Sequence, residues 1–324
     1  MTRKSCLYCY CTNVTKHGKT KGRQRYQCQG CYGTWSSLPR DEKDKLKLWR
    51  EYAFEGSSLA VLAKRYNKST STIQRFIRDY VEPDWLSRPR PVTVILDVTY
   101  FKGFGVLVAY DPYAKYVPGY DRVLYYAVLG STEKTIDYDT ATDTIEGMGY
   151  TIQAVVIDGR RGVRQMLERK GIPVQHCQFH QLQTITQCLT KRPVLVQNRE
   201  LRAIALTLTK TTRGAFEQKL DEWHAEHDDW LKERYTDPKT GRHRYQHERT
   251  RRAYFSLQRN LDYLFTYQDE SLKDRHGNQL KIPNTTNPLD GQFGVWKRRI
   301  NKHPGLGKQR IITMLRSFFS EVTD

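Results

Sequence analysis

The chain has 324 residues, of which 38% are hydrophobic and 27% charged. This is the composition of a globular protein of about two domains, and it argues against wholesale disorder. No apolar run reaches the ~18 residues of a membrane span, and the first residues lack the apolar segment of a secretory signal. We therefore expect a cytoplasmic protein with no membrane partner. The formal net charge of +19 favours nucleic acid as the partner, because solubility alone seldom requires so one-sided a charge.

The positive charge is distributed unevenly along the chain. Residues 1–40 hold eight basic and no acidic side chains, whereas residues 91–190 hold nine basic and ten acidic ones. A basic frame around a near-neutral middle suits a protein that binds a polyanion at its ends and keeps carboxylates for another task.

Cysteines are concentrated near the start of the chain. Five of the seven lie within residues 6–31, where Cys6 and Cys9 form one Cys-x-x-Cys pair and Cys28 and Cys31 form another, with a predicted strand over residues 23–28. Two such pairs complete a tetrahedral thiolate site for structural Zn²⁺. Cys11 competes with Cys9 as the fourth ligand. A thioredoxin-like redox pair is the alternative, but residues 1–40 are too few for that fold. The sequence predicts a zinc ribbon over residues 1–40 that contacts DNA phosphates.

Residues 41–86 show helical spacing of apolar side chains. Segments 59–66 and 73–80 each carry them at i, i+3, i+4 and i+7, after an earlier predicted helix over residues 42–54. Ser69 or Ser71 caps the last helix of this helix-turn-helix unit. The same pattern also occurs in ordinary helical hairpins, but the basic surroundings favour DNA. Four residues would then face the major groove: Thr70, Gln74, Arg75 and Arg78. Residues 87–91 resemble an interdomain linker.

Residues 92–190 change to strand patterns. Predicted strands cover residues 92–97, 105–110, 123–129, 152–157 and 174–179, and predicted helices cover 137–148 and 161–170. The order β-β-β-α-β-α-β is that of an RNase-H-like mixed sheet, so the fold class is α/β.

Two of these predicted strands end in an aspartate. Asp97 ends the first strand and Asp158 ends the fourth, so the two carboxylates meet at one sheet edge if the strands are neighbours. Two such groups would repel each other unless a proton or metal intervened. A pair of Mg²⁺ or Mn²⁺ ions would relieve the repulsion and create a centre for phosphoryl transfer. An aspartate after an apolar run also commonly begins a turn, so the pair is a stronger indication than either residue alone.

At this point the sequence resembles the Mutator-like DDE transposases of bacterial insertion sequences over roughly residues 92–315. The resemblance rests on four motifs: Leu-Asp97-Val-Thr-Tyr100, Val-Val-Ile-Asp158-Gly, Val-Gln-His-Cys177-Gln-Phe-His180 and Asn284-Thr-Thr-Asn287-Pro-Leu-Asp290. It implies an RNase-H-like core interrupted by an all-helical insertion, preceded by a zinc ribbon and a helix-turn-helix domain that recognise the transposon ends. The core then covers residues 92–190 and 284–324, and the insertion covers 191–283.

The resemblance also implies roles for individual residues. Asp290 stands where the family has glutamate, one methylene longer, and would complete the metal site with Asp97 and Asp158. Lys297 and Arg298, about two turns further along the same helix, would hold a phosphate of the DNA end. Two residues would be structural neighbours of the site, Cys177 and His180, with half of a zinc site as the lesser alternative. Helical stretches at 198–209, 214–235 and 246–265 agree with the insertion.

These expectations combine into one function. The chain would bind the terminal inverted repeats of its own mobile element as a dimer or larger homo-oligomer associated with the nucleoid. It would then cleave and join DNA by metal-dependent phosphoryl transfer, without a covalent protein–DNA intermediate. Two alternatives stay open: a non-catalytic DNA-binding regulator descended from a transposase, and an RNase-H-like nuclease or resolvase.

Overall fold

The computed structural model describes residues 6, 12–20, 23–36, 40–80, 89–114 and 122–319. These residues form a mixed α/β protein with eleven α-helices, one central five-stranded sheet and two small sheets of three and two strands. Within the described residues, every helix is too short or too polar to cross a bilayer. Cys9, Cys11 and the first two residues of the predicted linker 87–91 lie outside the described residues.

The N-terminal segment is a small antiparallel sheet. The predicted strand 23–28 is its middle strand, and the sheet consists of β1 (Val14–Thr20), β2 (Arg23–Cys28) and β3 (Thr34–Ser36). The rings of Tyr26 and Trp35 lie 6.0 Å apart across β2 and β3 and provide its only sizeable aromatic contact among the described residues. So small a sheet has little apolar surface to bury and needs a further source of stability.

Three helices follow, as the apolar spacing predicts. They are α1 (Arg40–Ala53), α2 (Leu59–Arg65) and α3 (Thr70–Arg78). Ser58 caps α2, and Ser69 caps α3 by accepting a hydrogen bond from the backbone N–H of Thr72. Leu62, Ile73 and Ile77 are buried between the helices, so the opposite face of α3 is left to solvent.

The central sheet contains the predicted element order. Its strands are β4 (Pro91–Phe101), β5 (Phe104–Tyr110), β6 (Val123–Leu129), β7 (Thr151–Ile157) and β8 (Val174–His176), arranged β6-β5-β4-β7-β8. The first three pair antiparallel, and β7 and β8 run parallel to β4. Every residue of β5 is buried, because helices cover both faces of the sheet.

Alternate residues of the strands face different helical layers. Leu96 and Leu107 pack toward α4 (Thr135–Gly147) and α5 (Arg161–Arg169). Ile95 and Val108 face the other side, toward α10 (Asn287–Asn301) and α11 (Lys308–Phe319). The parity of a residue along β4 therefore decides which layer it faces.

The three N-terminal helices share this second layer. The indole N–H of Trp49 donates to the Ser317 hydroxyl at 2.8 Å, and a ring nitrogen of His303 lies 2.9 Å from the carbonyl oxygen of Tyr52. All four residues are buried. The predicted helix-turn-helix unit and the last two helices of the chain therefore form one continuous core rather than two separate ones.

The chain from the last sheet strand to the end of the insertion is mainly helical and differs from the prediction in two places. Helix α6 (Gln178–Leu189) ends the first part of the core, and the insertion contains α7 (Val196–Leu206), α8 (Arg213–Lys232) and α9 (Glu248–Leu264). The predicted strand 174–179 is too long, because the chain leaves the sheet at His176 and α6 begins directly afterwards. The insertion is also not all-helical, since β9 (Arg234–Thr236) and β10 (His243–Tyr245) form an antiparallel hairpin between α8 and α9.

Candidate carboxylate and thiolate sites

Asp97 and Asp158 occupy matching positions on neighbouring parallel strands. The last paired residues of β4 and β7 are Ile95 and Val156, and each aspartate lies two residues beyond its strand's member of that pair. Both therefore have the parity of the face that packs against α10. The expectation that the two carboxylates share one edge and one face of the sheet agrees with this register.

The two aspartates are held differently. The prediction that Asp97 ends its strand is wrong, because β4 continues to Phe101 and Asp97 is paired with Val108 of β5. Its carboxylate accepts a hydrogen bond from the backbone N–H of Val98 at 2.7 Å. Asp158 does follow the end of its strand and accepts from the Arg160 backbone N–H at 3.2 Å. The pairing of β4 with β5 thus fixes Asp97, whereas the turn after β7 fixes Asp158.

Asp290 comes to this edge on the first turn of α10. The apolar stripe of that helix, formed by Leu289, Phe293 and Trp296, packs on the sheet face that contains Ile95. The Thr286 hydroxyl donates to Asp290 Oδ2 at 3.0 Å. A carboxylate in the first turn also interacts favourably with the helix dipole. Packing and capping together place the third predicted acid beside the other two.

The other two acids act on the charge of Asp97. The pKa of Asp97 is raised to about 7, first by its burial and then by the negative charge of Asp290, with a smaller contribution from Asp158. The Val98 N–H and His180 oppose this rise without cancelling it. A carboxyl group in this environment keeps its proton near neutral pH unless a cation replaces it. Hard oxygen donors of this kind are the ligands that Mg²⁺ and Mn²⁺ prefer. Within the described residues the three carboxylates do not all lie within 4.8 Å of one another, so two ions would have to draw them closer together.

Cys177 and His180 lie beside the carboxylates at the start of α6. The fully buried thiol of Cys177 accepts from the backbone N–H of Thr286 at 3.2 Å. A hydrogen bond with Cys177 raises the pKa of His180 to about 9, and the charges of Asp97 and Asp158 act in the same direction. Within the described part of the chain the two residues join no cluster with metal-ligand spacing, so their position agrees with a structural role near the site.

Two residues of the site were not singled out by the sequence. Thr286 is fully buried, and its hydroxyl bridges Asp290 to His180 Nδ1, which lies 3.5 Å away. Glu133 forms an ion pair with Arg160 and accepts a hydrogen bond from the hydroxyl of Tyr138. These contacts stabilise the turn that follows Asp158. The quoted motif before Asp290 contains Thr286, so that signal was present. Glu133 follows β6 in an ordinary polar loop and gives no local signal.

The predicted DNA-contacting residues fall into two groups. On α3, all four are exposed on the face opposite the buried isoleucines: Thr70, Gln74, Arg75 and Arg78. On α10, Arg298 is exposed, whereas Lys297 is half-buried with its ammonium 5.8 Å from the centre of the Phe101 ring. The second group lies on the helix of Asp290, and the first group lies on the N-terminal helices that share its core.

Three of the four predicted zinc ligands come together. The sulfur atoms of Cys6, Cys28 and Cys31 all lie within 4.8 Å of one another, and those of Cys6 and Cys31 are 3.6 Å apart. Tetrahedral Zn²⁺ with Zn–S bonds of ~2.3 Å separates its sulfurs by ~3.8 Å, so the spacing fits the metal. The backbone N–H of Gly30 donates to Cys28 Sγ at 3.3 Å, as is common around bound thiolates. This cluster could bind a metal such as zinc.

We expect the purified chain to hold one zinc ion, and Cys28→Ser to lose it. The small sheet β1–β3 buries too little apolar surface to fold alone, so loss of the metal should also unfold it. Metal analysis by mass spectrometry and amide hydrogen exchange of residues 14–36 before and after chelation check this. Cys188→Ser, a buried cysteine of α6, is the matched control and should keep the ion. Equal zinc in the Cys28 variant would refute the assignment.

Comparison with protein-family models and with characterised proteins gives no match for this chain.

Proposed function

We propose that the protein is a DNA transposase of the DDE type with an RNase-H-like core. The observation that carries the proposal is the position of three acids that lie far apart in the sequence. Asp97 and Asp158 lie at one edge of the sheet, and the charges of Asp290 and Asp158 both raise the pKa of Asp97. The sheet order β6-β5-β4-β7-β8, with three antiparallel strands followed by two parallel ones, supports the same core. The resemblance of the sequence motifs to Mutator-like transposases supplies the reaction class.

Each residue of the site would have a distinct role in the reaction. The three aspartates would hold two Mg²⁺ or Mn²⁺ ions, which supply activation of the attacking oxygen and stabilisation of the leaving oxygen. Thr286 would orient the carboxylate of Asp290, and His180 would lend positive charge beside the phosphate. Lys297 and Arg298 would bind DNA phosphates along α10. Asp290 is shorter than the family's glutamate, and its place in the first turn of a packed helix supports its reaching the ions.

The N-terminal half would recognise the DNA. The exposed face of α3 has the side chains and the capped, packed support that a recognition helix needs in the major groove. The thiolate cluster supports a zinc ribbon next to it. Because two DNA ends must be joined in one event, a dimer or larger assembly follows from this function.

The test is divalent-ion-dependent cleavage and strand transfer on a duplex that carries the inverted repeat flanking the coding sequence. We expect product with Mg²⁺ or Mn²⁺ and only background product from Asp97→Asn, Asp158→Asn and Asp290→Asn. Asp143→Asn, an exposed residue of α4, is the matched control and should keep full activity.

Other outcomes separate the alternative functions. Specific binding of the repeat without cleavage in either metal would indicate a regulator. Cleavage of branched DNA without joining would indicate a nuclease or resolvase. Full activity of Asp290→Asn beside two inactive variants would show that the third acid is misplaced.

A further inference from the structure

The hairpin between α8 and α9 carries a concentrated positive charge. Residues 232–252 include eight basic and three acidic side chains, and nearly all the hairpin residues are exposed. Its outermost part, residues 237–244, contains lysine, arginine and histidine, and proline is its one apolar residue. A surface of this composition does not fit an apolar groove of a protein partner, and it does fit a polyanion.

The base of the hairpin is braced although its strands are only three residues long. The guanidinium groups of Arg234 and Arg251 lie on the Tyr245 ring, 4.3 and 3.7 Å from its centre. Arg251 also donates to the carbonyl of Leu231 at 2.9 Å. The rings of Trp230 and His247 stack with centres 3.5 Å apart where the hairpin leaves the helices. Isolated hairpins of this size are marginal in water, so these contacts hold it as a fixed projection.

The main acidic residue of the tip is used within the hairpin. Asp237 Oδ1 accepts from the backbone N–H of Lys239 at 2.9 Å, and its other oxygen lies 3.5 Å from Arg244 Nε. These contacts, with the hydrogen bonds of the turn first, lower the pKa of Asp237, so it is internally compensated at neutral pH. The basic side chains of Lys239 and Arg242 are exposed. Their positive charges are therefore available at the tip to bind a polyanion.

Helix α9 connects the hairpin to residues that neighbour the carboxylate site. Its last residue, Leu264, accepts hydrogen bonds from the side chains of Gln175 and Gln178 at 3.0 and 2.8 Å, on either side of Cys177. Seventeen residues at ~1.5 Å each make α9 about 25 Å long. That length corresponds to less than one turn of duplex DNA, about 34 Å.

We propose that the hairpin 234–245 is a second contact for the duplex that occupies the carboxylate site, binding its phosphates within about one helical turn of the cleaved bond. This inference rests on the proposed function, because it requires a duplex substrate at the three aspartates. Its ligand is the sugar–phosphate backbone, so the contact is independent of base sequence.

The test compares Lys239→Ala/Arg242→Ala with the wild-type chain in binding the inverted-repeat duplex, with Ca²⁺ in place of Mg²⁺. Two lost phosphate contacts should reduce the slope of log K against log salt concentration by ~1.8. Hydroxyl-radical protection should disappear at one short patch within ~10 base pairs of the cleavage point and persist over the repeat. Lys273→Ala/Arg275→Ala removes two exposed charges from a separate turn and should leave that patch protected.

The outcomes distinguish this inference from the proposed function. If the wild-type chain cleaves DNA but the hairpin variant has the same salt slope and footprint as the wild type, the hairpin contact alone is overturned. A loss of binding to target DNA with unchanged binding of the repeat would also overturn it. Absence of metal-dependent cleavage by the wild-type chain would instead overturn the transposase assignment. Circular dichroism and the thermal midpoint should match the wild type, because both replaced side chains are exposed.

Discussion

Asp97→Asn is expected to make the metal-free protein more stable at pH 8 while it abolishes metal-dependent cleavage. Asp97 has a pKa of about 7 in the folded protein, whereas an aspartate in an unfolded chain has ~3.9. The folded state therefore binds an extra proton between these values, and the free energy of unfolding falls as the pH rises from about 4 to about 7. Above pH 7 the full penalty is present. Asparagine stays neutral at every pH, so the variant does not lose this stability.

The expected gain at pH 8 is on the order of 4 kcal/mol, and it should vanish below pH 4, where both chains carry a neutral group. Denaturant unfolding at several pH values in EDTA measures it. Adding Mg²⁺ at pH 8 should stabilise the wild type, since an ion that binds only the folded state shifts the equilibrium, and should do little for the variant. Asp143→Asn, at an exposed position, should show no such pH dependence. A less stable Asp97 variant at pH 8 would contradict the crowding of the three acids.

Gly159→Ala is expected to destabilise the fold and to displace Asp158. Gly159 has a φ of +92°, which is unfavourable for any residue with a side chain. A β-carbon there would also lie 2.0 Å from Nε2 of the His176 ring. That ring is buried beside the Asp158 backbone, and its burial lowers the pKa of His176 to about 4. The neutral ring cannot move away without losing its contact with the residue before the glycine.

The expected loss of stability is about 2–5 kcal/mol, from the strained backbone and from the overpacked ring together. Gly171→Ala is the matched control, because Gly171 has a φ of +70° but nothing within 4 Å of the added carbon. It should lose only about 1–2 kcal/mol, the backbone part. Chemical denaturation of both variants gives the difference. Cleavage assays well below the unfolding midpoint should show a further loss for Gly159→Ala alone. Equal effects of the two substitutions would contradict the packing of His176 on this turn.

The shared sheet edge of Asp97 and Asp158 was easier to predict from the sequence than the ends of the strands around it. Asp97 and Asp158 follow apolar runs whose pairing is set by alternation, so their common edge was foreseeable. The end of β4 was not, because the strand continues by pairing with β5 around the two-residue turn at Lys102 and Gly103, whose φ is +82°. When pairing with a neighbouring strand decides where a strand ends, the residues of that strand alone do not predict its end.

Contacts between distant parts of the chain were the other source of error. The hairpin 234–245 is held by Arg251 and Trp230 from the flanking helices, so its six strand residues give only a weak signal on their own. The strand predicted to reach residue 179 ends early because the backbone N–H of Gln178 bonds to the carbonyl of Asn284, more than a hundred residues away. Thr286 gains its importance from the same kind of long-range contact.

The buried bonds from Trp49 to Ser317 and from Tyr52 to His303 have a consequence for how such a protein would measure DNA. Because α3 and α10 share one hydrophobic core, the exposed face of α3 and the sheet edge with the aspartates lie at a fixed separation and angle. On the proposed function, the number of base pairs between the recognised sequence and the cut is then dictated by the protein itself. Each inserted base pair would turn the target phosphate by about a tenth of a revolution away from the acids. A single spacing between the recognised sequence and the cut would therefore be cleaved.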